Sequence, residues 1–343
     1  MSITKETEID WGYLAKQVSH KRCIPFISNR VSNRYLFPDR DIVQAWAEQI
    51  GYPFADRSNL ALVAQYLSVL TSEGKAQSDY LDFLKRELLA DAKANGLNAA
   101  SPFFDTLEAE LDELTPTELA HDLGFGRFDV EPDNPWWLLA KLSLPIYLTT
   151  SFHRLMEGAL TLYGRKPQSA LYCWSEELES QIPLEFLADP KVRPTEDEPL
   201  VYHLYGSDGL PNSLVLNEDN FFDFIEHITY DLDHPDEENT TGLPAVISRS
   251  LSSSAYSILL LGYNLYDWDF RVAFRSAIKR LTKRRRELSL FVQFEPGSDD
   301  SRDEGVIARI HTYLDAYAQI HNFKIYPGDV CSFLVELTRA MGR

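Results

Sequence analysis

Residues 257–286 read SILLLGYNLYDWDFRVAFRSAIKRLTKRRR, and this stretch decides the fold class. Ser257–Leu261 is a short apolar run that ends in Gly262, a pattern typical of a buried strand followed by a sharp turn. Apolar residues then recur at helical spacing, at Phe270, Phe274, Ala277, Ile278 and Leu281. The stretch therefore predicts a strand, a glycine turn and a helix, the unit whose strand-end loop holds the ligand in open α/β sheets.

The charges along this predicted helix agree with its direction. Asp267 and Asp269 stand at its amino end, and basic residues follow at its carboxyl end, at Lys279, Arg280, Lys283, Arg284, Arg285 and Arg286. Acidic groups stabilise the positive end of a helix dipole and basic groups the negative end. We interpret the basic run as a solvated helix terminus rather than as a contact for nucleic acid.

The alternation of strands and helices extends along the chain. Apolar runs predict further strands at 22–27, 144–150, 200–205, 213–216, 288–294 and 323–326. Helical spacing and composition predict helices at 11–20, 41–50, 60–70, 80–89, 103–114, 152–163, 218–228, 306–319 and 331–341. Ser28–Arg30 is interpreted as a polar turn. This alternation predicts an α/β fold with a doubly wound parallel sheet.

Residues 55–135 contain predicted helices without a predicted strand. We therefore expect a Rossmann-type domain formed by residues 1–54 and 136–343, with residues 55–135 as a helical insertion. Residues 101–135 hold ten Asp or Glu against one Arg. We interpret this acidic stretch as a solvated surface rather than as a docking site.

Composition narrows the class of protein. A formal net charge of −19 argues against non-specific nucleic-acid binding, which depends on neutralising phosphates. The three cysteines lie far apart without a CxxC pair, which predicts neither a disulfide framework nor a thiolate zinc site. No run approaches the roughly 20 apolar residues that span a bilayer, and the start is too polar for a secretory signal. We expect a cytoplasmic protein that does not bind membranes.

Several stretches together resemble the SIR2-like (sirtuin-fold) family, specifically its bacterial defence-associated branch. The resemblance is clearest in Pro211–Phe224, PNSLVLNEDNFFDF, and in Leu259–Phe274, LLLGYNLYDWDFRVAF, where the family reads close to LFIGYSLxDWNFRxLF. IGYPF at 50–54, LALVAQYL at 60–67, VYHLYG at 201–206, and the later VQFEP and IYPGDVCSFLVEL agree in order and spacing. The resemblance covers nearly the whole chain and implies the sirtuin form of the α/β fold.

The resemblance implies an activity, the cleavage of NAD+ between nicotinamide and ribose. The family uses a glycine-rich turn so that backbone amides can approach the pyrophosphate, because any Cβ there obstructs the contact. It also uses an Asn that orients the ribose and the attacking water. A histidine in a His-Gly pair at a strand end serves as general base.

This chain departs from the family at all three of those loops. The first loop, close to PFxGAGxS in the family, reads PFISNRVS at 25–32, with Ser28 and Arg30 at the glycine positions. The second, TTNYD in the family, reads TTSFH, so Ser151 replaces the Asn. The third reads LYG, so Tyr205 replaces the His. A tyrosine of ordinary pKa is a poor base at neutral pH.

The resemblance assigns nucleotide binding to two groups of residues. The first loop contributes Ser28, Asn29, Arg30 and Ser32, and the glycine loop contributes Gly262, Tyr263, Asn264 and Asp267. The guanidinium of Arg30 could contact a phosphate directly, although it cannot reproduce a close glycine approach. No metal is implied, because the paired CxxC ligands found in protein-deacylating sirtuins do not occur, and lysine deacylation is not expected.

Three classes of function stay open on the sequence. We favour a catalytically degenerate SIR2-like protein, a pseudoenzyme, that binds NAD or an ADP-ribose-like nucleotide. Such a protein could instead act as a scaffold in a bacterial antiviral defence assembly, with a protein partner or as a homo-oligomer. The second class is a divergent NAD+ glycohydrolase that uses His203 or His153 as its base, although both residues are more often structural at such positions. The third is an interaction protein whose pocket is filled by aromatic residues such as Phe152 and Tyr205.

Overall fold

A sheet of seven parallel strands organises the chain. The computed structural model describes residues 9–94, 101–182, 193–234, 242–263, 290–294, 309, 312–313, 315–316 and 323–342. The strands are β1 Cys23–Ile27, β2 Ile146–Thr149, β3 Gln168–Leu171, β4 Leu200–His203, β5 Ser257–Tyr263, β6 Leu290–Phe294 and β7 Lys324–Pro327. Their spatial order is β3-β4-β2-β1-β5-β6-β7, and every pair is parallel. The predicted α/β class is confirmed.

Helices occupy most of the connections between these strands. They are α1 Trp11–Ser19, α2 Asn29–Leu36, α3 Ile42–Gln49, α4 Leu60–Leu70, α5 Glu73–Ala94, α6 Ser101–Ala109, α7 Pro116–Ala120, α8 Pro135–Lys141, α9 Leu155–Leu162, α10 Glu176–Glu179, α11 Glu218–Asp233, α12 Ala245–Ser252 and α13 Val330–Ala340. None of the helices in the described ranges is long and apolar enough to cross a membrane. The predicted helix over 270–281 lies outside the described residues, and the one over 306–319 is described only in part.

The order of the strands reverses at β1. The chain continues from β1 to its neighbour β2 on one side, builds β3 and β4 beyond it, and then crosses to β5 on the other side. Such a reversal opens a crevice at the carboxyl ends of the central strands, where open α/β sheets bind their ligands. Ser28 follows β1 at this edge, and Gly262 lies near the end of β5.

Both faces of the sheet are buried in apolar cores. Side chains of a strand alternate between the two faces, so Ile27 and Leu259 pack in one core while Phe26 and Leu260 pack in the other. Helices α1, α8, α9 and α13 supply residues to the first core, and α11 and α12 to the second. This double burial explains why the strands read as continuous apolar runs rather than alternating ones.

The helices between residues 55 and 135 pack onto the first of these cores. Val63 of α4, Leu84 of α5 and Leu119 of α7 belong to the same buried cluster as Ile27 of β1. The segment therefore lies against the first face of the sheet. Whether it is a separate insertion, as the sequence predicts, stays a prediction.

Three local predictions need correction, and one strand was not predicted. The predicted strand over 213–216 is wrong, because a 3-10 turn covers Pro211–Ser213 and the buried residues after it pair with no strand in the described structure. The predicted polar turn at 28–30 is instead the first turn of α2. The sequence interpretation also missed β3. Finally, β5 continues through Gly262 to Tyr263, with a register shift against β6 after Leu260, so the glycine lies in a strand irregularity.

The turn after β4 depends on Gly206. This residue has φ +83°, and a Cβ would lie 2.2 Å from the backbone oxygen of Ser213. The hydroxyl of Ser213 accepts a hydrogen bond from the amide of Ser207 at 3.0 Å and donates one to the carbonyl of Leu210 at 2.6 Å. The segment that the sequence interprets as a strand is thus a tight loop folded back on Gly206.

We predict that Gly206→Ala lowers the free energy of unfolding by roughly 2–5 kcal/mol, measured by urea denaturation. The substitution combines a left-handed backbone at an alanine with a collision against backbone atoms. Gly164→Ala is the matched control, because Gly164 has φ +84° but a Cβ there meets nothing within 4 Å. The control should lose only about 1–2 kcal/mol. Equal losses in the two variants would contradict the steric argument.

Candidate functional site

The first loop begins helix α2 directly after β1. Ser28 caps this helix, and its Oγ accepts a hydrogen bond from the amide of Arg30 at 3.2 Å. The amide of Asn29 donates to Thr150 Oγ1 at 3.3 Å, which ties the loop to the one after β2. Ser28, Asn29 and Ser32 are buried, whereas Arg30 is exposed. The predicted nucleotide residues of this loop therefore face different surroundings.

Ser151 is enclosed between the first and second loops. Its Oγ lies 2.6 Å from Ser32 Oγ in a hydrogen bond and accepts another from the amide of His153 at 3.2 Å. Its own amide donates to Thr149 Oγ1 at 2.9 Å, and the residue is 1% exposed. Ser151, predicted at the family's Asn position, thus makes its hydrogen bonds inside the protein and presents almost no surface to a ligand.

Tyr263 joins the glycine loop to the same cluster. Its hydroxyl lies 3.3 Å from Thr150 Oγ1 in a buried hydrogen bond. The structure therefore brings together residues of the first loop, the second loop and the glycine loop. Asn264 and Asp267, the other two residues predicted for the glycine loop, lie outside the described residues.

His203 is held in a buried pair with Glu157. Its Nε2 lies 2.7 Å from Glu157 Oε1, and its Nδ1 lies 2.8 Å from the carbonyl oxygen of Ser151. The carbonyl can only accept, so Nδ1 carries a hydrogen. Ser169 Oγ donates to the same carboxylate oxygen at 2.6 Å. Both ring nitrogens of His203 are engaged, and neither is free to take a proton from a water molecule.

The two groups of this pair shift each other's pKa. Burial alone lowers the pKa of His203, but the Glu157 carboxylate and the Ser151 carbonyl outweigh it, so the pKa is raised. Burial alone raises the pKa of Glu157, but the charge of His203 and the hydrogen bonds from His203 and Ser169 outweigh it, so the pKa is lowered. Both shifts favour an imidazolium beside a carboxylate.

Tyr205, predicted at the position of the family's general base, packs its ring against aromatic neighbours. The ring stands edge-on to Phe221 at 5.2 Å and to Phe224 at 5.0 Å, both from helix α11. Tyr205 is 3% exposed and belongs to the second apolar core. The side chain therefore contributes packing where the family places a base.

His153 lies beside a carboxylate that the sequence interpretation did not single out. Its Nδ1 is 3.5 Å from Asp208 Oδ2, and both side chains are fully buried. Asp208 Oδ2 accepts hydrogen bonds from the amide and the hydroxyl of Thr117, at 2.9 and 2.5 Å. Among the described residues, neither ring nitrogen of His153 makes a hydrogen bond of good geometry. Because Thr117 belongs to α7, these hydrogen bonds tie that helix to the pair.

Gly262 meets the first loop at close range. It has φ +75°, and a Cβ would lie 2.3 Å from Val31 Cγ2. The glycine is therefore required for the contact with α2. The side chain of Val31 thus occupies the space that a Cβ of residue 262 would need.

An open cavity of about 1220 Å³ lies beside α2. Gly262 and the predicted phosphate contact Arg30 both line it, together with Arg34 and Arg127. The aromatic residues Tyr35, Phe37 and Phe125 and the amino end of α13 also line it. Ser151, His153, His203 and Tyr205 do not appear among its lining residues. The structure thus separates the predicted site into an enclosed polar cluster and an open, arginine-bearing cavity.

The cavity carries acidic as well as basic groups. Asp39, Glu131, Asp133 and Asp329 line it, and the guanidinium of Arg40 is paired with Glu87 and Asp91. Its surface is therefore mixed in sign, with Arg30 nearest the end of β1. Within the described residues, no cluster of three or more His, Cys, Asp or Glu could hold a metal ion.

Sequence reasoning missed the two carboxylates that pair with the histidines. Glu157 lies on α9, four residues after His153, and Asp208 lies in the loop after β4. The signal for Glu157 was its position on the apolar face of a helix, where an acid is rarely buried without a partner. For Asp208 the local sequence gives no comparable signal.

The buried pair predicts a defined pH dependence of stability. The folded pKa of His203 is raised, so its contribution is complete below the ordinary value of 6.5 and is lost as the pH rises through the folded pKa. The folded pKa of Glu157 is lowered, so its contribution is present above 4.5 and is lost as the pH falls through the folded pKa. The pair stabilises most between those two values.

We predict that Glu157→Gln lowers the free energy of unfolding by roughly 1–3 kcal/mol at pH 6, the net value of a hydrogen bond between charged groups. The difference from wild type should shrink as the pH rises towards 9, and denaturant unfolding at several pH values measures it. The matched control is Asp197→Asn, which removes an exposed carboxylate paired with Arg165 and should cost less than about 1 kcal/mol. A loss for Glu157→Gln that does not change with pH would contradict the charged pair.

Comparison with known proteins gives one family. The model of the SIR2-like domain matches residues 145–317, which is half of the chain. The match spans β2 to β6 and includes Ser151, His203, Tyr205 and Gly262, whereas Arg30 precedes it. No curated protein matches the chain. The seven-stranded parallel sheet and the family match agree, and the chain belongs to the SIR2-like domain family.

Proposed function

We propose that this chain is a catalytically degenerate SIR2-like protein that binds a nucleotide of the NAD or ADP-ribose type without cleaving it. One observation carries the proposal. The residues at the family's catalytic positions, Ser151 and Tyr205, are enclosed, while Arg30 and Gly262 line an open cavity. The family supplies the expectation of an NAD-related function, and the geometry favours binding over hydrolysis.

The enclosed cluster is poorly suited to hydrolysis. A general base must reach, directly or through one water, the proton that it removes. Tyr205 packs against two phenylalanines, and both ring nitrogens of His203 already have partners. Ser151 offers a single hydroxyl, already bonded to Ser32, where the family has an amide with donors and an acceptor.

The open cavity is suited to a nucleotide. Its volume exceeds the roughly 300–1,000 Å³ of common ligand pockets, which leaves room for a dinucleotide. Arginine side chains recognise phosphate through paired donors, and Arg30, Arg34 and Arg127 line the cavity. Aromatic side chains at the same cavity offer a surface for a base. NAD, when bound, would bring the glycosidic bond that the family cleaves; in this chain Arg30 and Gly262 would hold it.

We also propose that this protein works within a bacterial defence assembly. The motifs resemble the bacterial defence-associated branch of the family, and a binding protein needs a partner to convert ligand occupancy into an effect. We therefore propose that the nucleotide-bound chain acts through a protein partner or through its own oligomer. This part rests on the resemblance of the sequence motifs.

Two observations favour other functions. Phe152 and Tyr205 are both buried, which suits a purely structural protein with a filled pocket. The pair of His153 and Asp208 suits a divergent NAD+ hydrolase, because a carboxylate beside a histidine supports a base. The titration described next distinguishes both alternatives from the proposed function.

The experiment is a calorimetric titration of the full chain with ADP-ribose and with NAD+, followed by chromatography of the sample for nicotinamide. We predict saturable binding of both ligands and no nicotinamide. Arg30→Ala should weaken binding by about 10- to 100-fold, the range expected for loss of a charged hydrogen bond. Arg22→Ala is the matched control, since Arg22 is exposed at the opposite, amino-terminal edge of β1, and it should bind like wild type.

Other results would assign the chain to the alternatives. Nicotinamide release that His153→Ala or His203→Ala abolishes would replace the proposal with the hydrolase. Absence of heat with both ligands would favour the filled pocket. A Ser151→Asn, Tyr205→His variant that releases nicotinamide only as fast as an active wild type would also contradict the degeneracy of the site.

A further inference from the structure

Helix α4 exposes an unusually apolar surface. Its sequence, LALVAQYLSVL, contains no charged residue. Val69 and Leu70 at its carboxyl end are 74% and 63% exposed, although large aliphatic residues are most often buried. Single exposed apolar residues are ordinary, but a contiguous group marks an interaction surface.

Neighbouring side chains extend this surface beyond α4. Phe54 is 62% exposed and stands edge-on to Tyr66 of α4 at 6.5 Å. Tyr66 lies one turn before Val69 and Leu70, so the three share one side of the helix. We name the apolar α4 surface as Phe54, Tyr66, Val69, Leu70 and Phe222, the last from α11.

Helix α11 is fixed beside α4 by polar contacts. Gln65 Nε2 donates to Asp219 Oδ2 at 2.9 Å, and Asn217 Nδ2 donates to Ser68 Oγ at 3.1 Å. Phe222 follows Asp219 by one turn and is 57% exposed. The exposed phenylalanine therefore lies one helical turn from the contact between α11 and α4.

Acidic residues border the apolar α4 surface. Asp219, Asp223 and Glu226 repeat along one side of α11. Asp56 follows Phe54 by two residues in the chain, and Glu218 is the first residue of α11. Arg57 and His227 are the basic residues in these two segments. Acids therefore outnumber bases in these two segments.

We propose that the apolar α4 surface binds a cationic amphipathic segment of another protein, with apolar residues against α4 and Lys or Arg towards the acidic border. Helix-in-groove recognition places apolar anchors at helical spacing against such a surface. Charge complementarity at the border steers the encounter and selects the partner.

The charges argue against a second copy of this chain as the occupant. A twofold contact presents the same patch on both sides, so Asp219 and Asp223 of one copy would face acids of the other. Like charges that meet at an interface disfavour it, and the chain carries a net charge of −19. A basic partner removes this repulsion.

The test measures fluorescence anisotropy of an 18-residue synthetic peptide of Leu and Lys, patterned as an amphipathic helix, against the full chain. We expect saturable binding that weakens as salt is added. The triple variant Val69→Ser, Leu70→Ser, Phe222→Ser should weaken binding at least tenfold. Asp223→Asn with Glu226→Gln should weaken it about three- to tenfold and reduce the salt dependence.

Matched controls distinguish binding at this surface from non-specific binding of the peptide to other exposed apolar residues. Leu162→Ser changes an exposed apolar residue of α9, 45% exposed, and should leave binding unchanged. Thermal unfolding checks that each variant is folded, and the ADP-ribose titration should be unaffected by all of them. Equal binding of a Leu/Glu peptide, no binding of the Leu/Lys peptide, or equal loss in Leu162→Ser would overturn the proposal. A wild-type dimer in sedimentation that the triple variant converts to monomer would assign the surface to a second copy instead.

Discussion

The buried pair of His203 and Glu157 connects four parts of the site region. His203 ends β4, Glu157 lies on α9, Ser169 on β3 donates to the same carboxylate, and the other ring nitrogen holds the carbonyl of Ser151. A buried charge is tolerated only when it is paired and hydrogen-bonded, so these groups constrain one another's positions. His203 at the end of β4 therefore fixes the loop that carries Ser151. The position of Ser151 in turn fixes its hydrogen bond with Ser32.

The fixed loop divides the carboxyl edge of the sheet into two environments. On one side, Ser32, Ser151 and the pair of His153 and Asp208 turn their polar groups towards each other. On the other side, α2 presents Arg30 to the cavity, while Val31 packs against Gly262. The groups predicted at the family's catalytic positions are thus packed inside the protein, whereas Arg30 lines an open cavity. This division is the physical basis for proposing binding without cleavage.

Most of the strands and helices could be predicted because their signals are local. The run Ser257–Leu261 and its glycine predict a buried strand, and a side-chain cap starts α3 at Asp41. The errors occur where burial comes from loops or neighbours. Leu214, Val215 and Leu216 alternate between the two cores as a strand would, yet they belong to a loop with no neighbouring strand among the described residues. Strand β3 has only two fully buried residues, so it resembles an ordinary polar connection.

The sequence by itself determined the α/β class, and it predicted the edge of the sheet for the site and the residues at the family's Asn and His positions. Those follow from apolar periodicity, glycine positions and motif spacing, which are properties of neighbouring residues. Only the tertiary structure decided that Ser151 and Tyr205 are enclosed, that both histidines pair with carboxylates, and that Arg30 reaches a separate cavity. Those features join residues that are distant in the chain, such as Ser32 with Ser151 and His153 with Asp208. Side-chain direction and three-dimensional packing set such contacts, and no local pattern records them.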